Sequence, residues 1–447
     1  MSSDPRSRLK QWLDSGEAEL HPLTLPQREL WESSPLPVED NSNHICCVLE
    51  IRGLLTERDG RAAIQRVVDR QEVLRLSILP GKERPLQMVR KSLAANFEFR
   101  ELPAGAAPEA IEESAVEIFR APFELVQGPL YRVVDLRRAH DHHVLVLAIH
   151  HAVADGWSLG VFVQDLFTAY IDVVMGSSGP LPSLPQSYTA WGAADRGYWK
   201  PEVLEERAEF WKTRLAGASR KWNTHITPSP PNRWLSSISE SLTNETRELA
   251  RQAGVTLFSA LLAAFQIAFY EWSGVDDLVV GTPVANRARQ SARETMGYYA
   301  GIVPLRWQTD PSRTASDHLR AGHQQTVDSF GNAIPFVELA RAVGERPQPG
   351  YNPVFEVRFA LQNHPMPEIS LPNLSARLSM RSTGTPRFQL ACEITEIDEG
   401  LEVAWLFREN LFSPRDIQNL DGIFQRVLAG ICRSPETRIS DLLNRPQ

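Results

Sequence analysis

Unbroken apolar runs, separated by glycine, proline and capping residues, divide this chain into strands and helices. Val144 to Ile149 is an aliphatic run with no polar interruption, which predicts a strand buried on both faces. Leu159 to Val174 carries apolar residues at helical spacing, so strand, turn and helix should follow in that order. Leu257 to Trp272 is a second long apolar stretch, preceded by the capping residue Thr256. It includes Gln266 and Glu271 and falls short of the roughly 20 residues that cross a bilayer, which predicts a core helix. Leu278-Val279-Val280 and Val354 to Leu361 read as strands, and Phe388 to Ile394 with Leu401 to Phe407 as a hairpin across Asp398-Glu399-Gly400. Ser413, Pro414 and Asp416 signal the start of a last helix. The class is mixed α/β.

At 447 residues the chain exceeds a single core and fits two domains. The breakers from Gly176 to Pro185 can neither continue a helix nor pair as a central strand, so the division is placed there, giving 1–178 and 179–447. Thr224 to Trp234, polar and proline-containing, reads as a loop inside the second half. Before Pro22, Leu9, Trp12 and Leu13 share helical spacing, which suits a solvated extension of the first domain or a docking element.

A net charge of -8 argues against nucleic acid as partner, and no segment reaches membrane-spanning length. Cys46, Cys47, Cys392 and Cys432 have no disulfide-framework spacing, and the N-terminus lacks a signal pattern. The expectation is a reduced, cytoplasmic monomer.

The candidate chemistry lies where the first strand ends, in His150-His151-Ala152-Val153-Ala154-Asp155-Gly156-Trp157-Ser158. Side chains alternate across a strand, so His150 shares a face with Val144, Val146 and Ala148, and His151 the other with Leu145, Leu147 and Ile149. Only one of the pair can enter a given cavity. Core histidines bonded to backbone, or a base on a rigid support, both fit this pattern. Zinc fits poorly, because paired histidine ligands are usually spaced i, i+4 on a helix whereas adjacent strand residues diverge; no metal is expected.

His150, His151, Asp155 and Gly156 match the HHxxxDG motif, and the chain resembles the condensation domains of nonribosomal peptide synthetases, relatives of chloramphenicol acetyltransferase. Further segments fall in that family's order. Leu23 to Gln27 with Leu30-Trp31, Arg70 to Arg75, and Tyr188 to Trp191 resemble the first, second and fourth motifs. Val280 to Arg287 with Met296 to Tyr299, Ile334 to Phe336, and Asn352 to Phe355 with Leu361 to Asn363 resemble the fifth to seventh.

The resemblance implies two chloramphenicol acetyltransferase-like subdomains arranged as a V, with the histidine motif in a central tunnel. It implies an acyltransferase that joins a thioester, acyl, peptidyl or polyketide, to an amine or hydroxyl, forming an amide or ester. Both substrates would ride on the phosphopantetheine of partner carrier proteins, with no cofactor of the enzyme's own. Adenylation motifs and a carrier attachment site are absent, so donor and acceptor carriers are expected to act in trans. His151 is the implied base or hydrogen-bond partner of the nucleophile, and His150 is expected to orient the loop. Asp155 is expected in a buried ion pair, with Arg70 and Arg287 as candidates. Gly156 supplies a tight turn and a candidate oxyanion N–H. Gln27, Arg75, Tyr188 and Trp191 are expected to hold loop and interdomain packing. Two positions depart from the pattern: Gln71 stands where histidine is usual, and Gly301-Ile302 where an Asn-Thr pair is usual, which makes a non-amino-acid acceptor and an ester product more plausible. The competing expectations are an acyl-CoA-dependent O- or N-acyltransferase and a non-catalytic platform that recruits carrier proteins.

Overall fold

The apolar run at Val144 becomes the middle of a sheet. A computed structural model describes residues 5–33, 41–81, 84–103, 106–177, 179–218, 231–287, 290–346, 352–362, 369–371, 374–381 and 388–443. Strand His142–His150 is buried at every position, as a run apolar on both faces requires. It pairs antiparallel with His44–Gly53 on one side and Tyr131–Ala139 on the other. From edge to edge the sheet runs Ile369–Leu371, Leu374–Arg381, His44–Gly53, His142–His150, Tyr131–Ala139 and Phe97–Glu101. Its first two strands come from far along the chain, with Leu378 opposite Leu49. Helices Glu57–Arg70 and Gly156–Val174 pack together and contribute Ile64, Val67, Leu159 and Phe162 to the core beside this sheet.

A second six-stranded sheet runs Gly301–Gln308, Asp277–Val284, Val357–Gln362, Leu390–Ile397, Gly400–Arg408 and Pro231–Ser239. The expected hairpin is present, closing between Ile397 and Gly400. Helix Leu257–Ser273 lies against helix Pro414–Arg433 in the second core. Their ends obey the sequence signals: Thr256 accepts from the Ser259 amide at 3.1 Å, and Ser413 with Asp416 forms a reciprocal capping box.

Four expectations need adjustment. Residues 231–234, read as loop, begin a strand paired with Gly400–Arg408, because their partner strand offers a full antiparallel ladder; residues 224–230 lie outside the described residues, as do Ser178 and Asn363. The helix after the histidine motif starts at Gly156 rather than Leu159. The first core also draws in Tyr188, Trp191, Met296, Tyr298, Tyr299 and Leu374, all beyond residue 179, so the chain returns to it after the expected division. Leu9, Trp12 and Leu13, on helix Pro5–Asp14, pack on Ala18, Leu79 and Met88. The expectation that no segment reaches membrane-spanning length is also corrected, because the helix starts three residues early: among the described residues, Gly156–Val174 alone is long and apolar enough to cross a membrane unbroken, and half of it is buried inside the fold.

Candidate active site

Asp155 ends the turn after the strand and starts the helix. As N-cap it accepts from the Ser158 amide at 3.0 Å and from the Ser158 hydroxyl at 2.8 Å, while the Asp155 amide donates back to that hydroxyl. Gly156 follows as the first helical residue. It is not among the glycines with positive φ, so its expected role in the turn is corrected: the backbone there suits any residue. What the position provides is an N–H at a helix start, where no intrahelical acceptor exists.

The adjacent histidines are held in opposite ways. His150 is 3% exposed, and its ring packs edge-on to His44 and Phe123. Its Nδ1 accepts from the Ala152 amide at 3.1 Å, so that nitrogen carries the lone pair. His151 is half-buried, its ring 5.2 Å from the Tyr298 ring. Its Nδ1 lies 3.1 Å from the Ala154 carbonyl, which can only accept, so Nδ1 carries the proton. The neutral His151 ring then has Nε2 as its basic nitrogen. One backbone turn thus fixes one tautomer for each ring.

Arg287 takes the Asp155 pair, and Arg70 does not. Arg287 Nη2 donates to Asp155 Oδ1 at 2.8 Å, with both side chains almost wholly buried. It also reaches the Ser158 hydroxyl at 3.0 Å and stacks over Tyr299 at 4.0 Å. Arg70 instead pairs with Asp165, ten residues along the helix side, and donates through Nε to the Pro182 carbonyl. Gln71 makes the departure from the motif intelligible. Its amide donates to Asp165 at 2.7 Å and to the Glu294 carbonyl at 3.1 Å, and accepts from the Met296 amide at 2.9 Å.

These contacts belong to a strap, residues 293–299, which the second half lays across the loop. Trp157 Nε1 donates to the Arg293 carbonyl, the Ser158 hydroxyl accepts from the Gly297 amide at 3.1 Å, and Tyr188 donates to the Tyr298 carbonyl at 2.8 Å. The Tyr299 amide donates to Asp155 Oδ2 at 3.1 Å. Gly297, at φ +159°, admits only glycine, because a Cβ there would come within 2.3 Å of the Tyr188 ring. Gln27 Nε2 donates to the Ala152 carbonyl at 2.9 Å and its Oε1 accepts from the Thr24 amide, whose hydroxyl meets Tyr188 at 2.8 Å. Loop and strap are therefore joined through Gln27, Thr24 and Tyr188. Burial holds the Tyr188 and Tyr299 phenols well above their ordinary range, so both stay neutral.

Trp191 stacks on Tyr188 and lies 4.4 Å from Tyr299, in the expected packing role. Arg75 binds the carbonyls of Val68, Asp69, Arg90 and Lys91 inside the first half, away from the loop. Ser158, Thr24 and Tyr298 were not singled out in the sequence. Ser158 had a signal, standing three residues after an aspartate before an apolar run; Thr24 and Tyr298 act through partners remote in sequence. Among the described residues no three His, Cys, Asp or Glu side chains gather as a metal-ligand set.

The model of the condensation-domain family matches residues 17–446. The chain is 28% identical over 438 residues to a component of the linear gramicidin synthase of Brevibacillus parabrevis, covering 93% of this chain but 6% of that protein. It is 28% identical to phosphinothricin tripeptide synthetase of Streptomyces viridochromogenes, covering 94% of this chain and 40% of that one. In three dimensions it superposes on the condensation domain of the monacolin K polyketide synthase with a TM-score of 0.82 at 15% identity, covering 94% of this chain and 99% of that one. The chain thus spans less than half of either synthetase and nearly all of a single solved domain of the same fold.

Proposed function

The chain belongs to the condensation-domain family, and from that premise we propose that it joins a carrier-bound acyl, peptidyl or polyketide thioester to an amine or hydroxyl acceptor. The acceptor nitrogen or oxygen attacks the thioester carbonyl and passes its proton to His151 Nε2. The carbonyl oxygen becomes an oxyanion, for which the Gly156 N–H at the helix start is the candidate donor. Collapse of that intermediate breaks the C–S bond, and the thiolate leaves with the proton from His151. The product is an amide or an ester.

The observation that carries this reading is the His151 tautomer: a carbonyl fixes the proton on Nδ1 and leaves Nε2 basic, on a half-buried ring. A base matters more for a hydroxyl acceptor than for an amine, which is already partly neutral near pH 7. Asp155 has a structural role in this reading, since four hydrogen bonds, one of them from Arg287, occupy both of its carboxylate oxygens. His150 orients the loop through Ala152. The reading includes two lobes, 1–178 and 179–447, forming a V with His151 in the tunnel between them, the second lobe lending the strap and strand Leu374–Arg381 to the first. It also includes a cytoplasmic monomer that meets its carrier proteins in trans and needs no cofactor of its own.

The test compares one acyl group presented on a loaded carrier protein and on coenzyme A, with the same amine and alcohol acceptors. Product from the carrier thioester at a rate well above the coenzyme A thioester is expected. Equal rates would assign the chain to soluble acyl-CoA chemistry, and no product with either would leave a recruitment role.

A further inference from the structure

Among the described residues, Asn286 is the one non-glycine with positive φ, at 52°. Glycine holds that backbone without steric cost, and asparagine is among the few other residues that adopt it readily, so the position fixes the direction in which the Asn286 amide leaves the chain. Its surroundings say where. Asn286 is exposed, and its Nδ2 donates to the Tyr299 carbonyl at 3.0 Å. Its neighbour Arg287 holds Asp155, the Tyr299 amide bonds the same carboxylate, and the Tyr298 ring lies against His151. The amide therefore stands one strap residue away from the proposed base.

Gly301 makes room for it. A Cβ at residue 301 would come within 2.9 Å of Asn286 Nδ2 and so displace the amide. One N–H of that amide is spent on Tyr299, and no hydrogen bond from a described residue reaches its Oδ1. The carbonyl oxygen of an exposed amide, anchored through its own nitrogen, is a preorganised acceptor.

We infer that Asn286 is a substrate-binding residue whose Oδ1 takes an N–H or O–H of a substrate beside the Tyr298–Tyr299 edge of the site, with Gly301 reserving its place. The inference rests on the proposed condensation reaction. Two groups could supply that hydrogen: the nucleophile of the acceptor, or an amide N–H within the donor's acyl chain.

Asn286→Gly separates binding from folding, because glycine accepts the positive φ. The assay uses glycyl-pantetheine thioester as acceptor and either N-acetylglycyl- or butyryl-loaded carrier protein as donor. Asn286→Gly should keep or raise the melting temperature and raise KM about tenfold, the worth of one neutral hydrogen bond, with little change in kcat. A rise in the acceptor's KM with both donors identifies the nucleophile; a rise confined to the N-acetylglycyl donor identifies its amide. Gly301→Ala should raise the same KM in the parent and add nothing to Asn286→Gly, a non-additive pair. A KM within twofold of the parent for Asn286→Gly, or an equal effect of Gly301→Ala in both backgrounds, overturns the inference. A parent enzyme that forms no product sinks instead the reading on which it rests.

Discussion

Asp155 and Asp165 stand on one helix, each buried and each holding an arginine, yet they are tied to different parts of the molecule. Asp155, at the head, takes Arg287 and the Tyr299 amide from the second half. Asp165, inside the helix, takes Arg70 and Gln71 from the first half, and both of these reach onward to the strap, Arg70 to the Glu294 carboxylate at 3.7 Å and Gln71 to the Glu294 carbonyl and the Met296 amide. The head of the helix is thus a joint between halves that also shapes the loop after the histidine pair. The lower site is a brace whose direct partners both come from the first half. Charge type and burial alone do not distinguish them; what does is the origin of the partners.

The largest expected effect breaks the first pair. Arg287→Leu leaves Asp155 buried without its cation, and denaturant unfolding should show a loss of about 3–5 kcal/mol. Arg70→Leu should cost clearly less, because Arg287 is the more deeply buried of the two arginines, 1% against 11% exposed, and its loss also strands the buried carbonyls of Thr295 and Gly297. Equal losses would erase the distinction between joint and brace.

A smaller effect concerns pH. Burial raises the pKa of Asp165, against the lowering influence of Gln71 and Arg70. A carboxyl bound more tightly to its proton in the folded state stabilises the fold fully below its unfolded value near 4, and that contribution is lost as pH rises through the folded value. Asp165→Asn should therefore gain stability relative to the parent as pH climbs from about 4 towards neutrality. Paired melting curves across that range check this, and a constant difference would contradict it.

Much of this site was legible in the sequence because its cause is local. The aliphatic run from Val144, the histidine pair at its end and the capping signals at Thr256 and Ser413 each declare themselves within a few residues. The partner of Asp155 did not, since Arg70 and Arg287 are both arginines within motif segments and only the fold brings one of them to the loop. Gly156 looked like a turn residue, whereas the turn is closed by the Asp155 and Ser158 side chains and glycine's extra freedom goes unused. Strand Leu374–Arg381 joins the first sheet across more than three hundred residues of chain, a pairing that no local pattern announces. Gln71 shows the reverse case: a departure from the family pattern that became meaningful once Asp165, Glu294 and Met296 were seen around it.

The central claim is that His151, with its proton fixed on Nδ1 by Ala154, supplies the basic nitrogen for condensation. It is tested most directly by product formation from carrier-bound substrates by the parent and by His151→Ala, with the unfolding curve of each as control. A fall of at least about 10²-fold in turnover with an unchanged unfolding curve is expected. Turnover equal to the parent's would contradict the account.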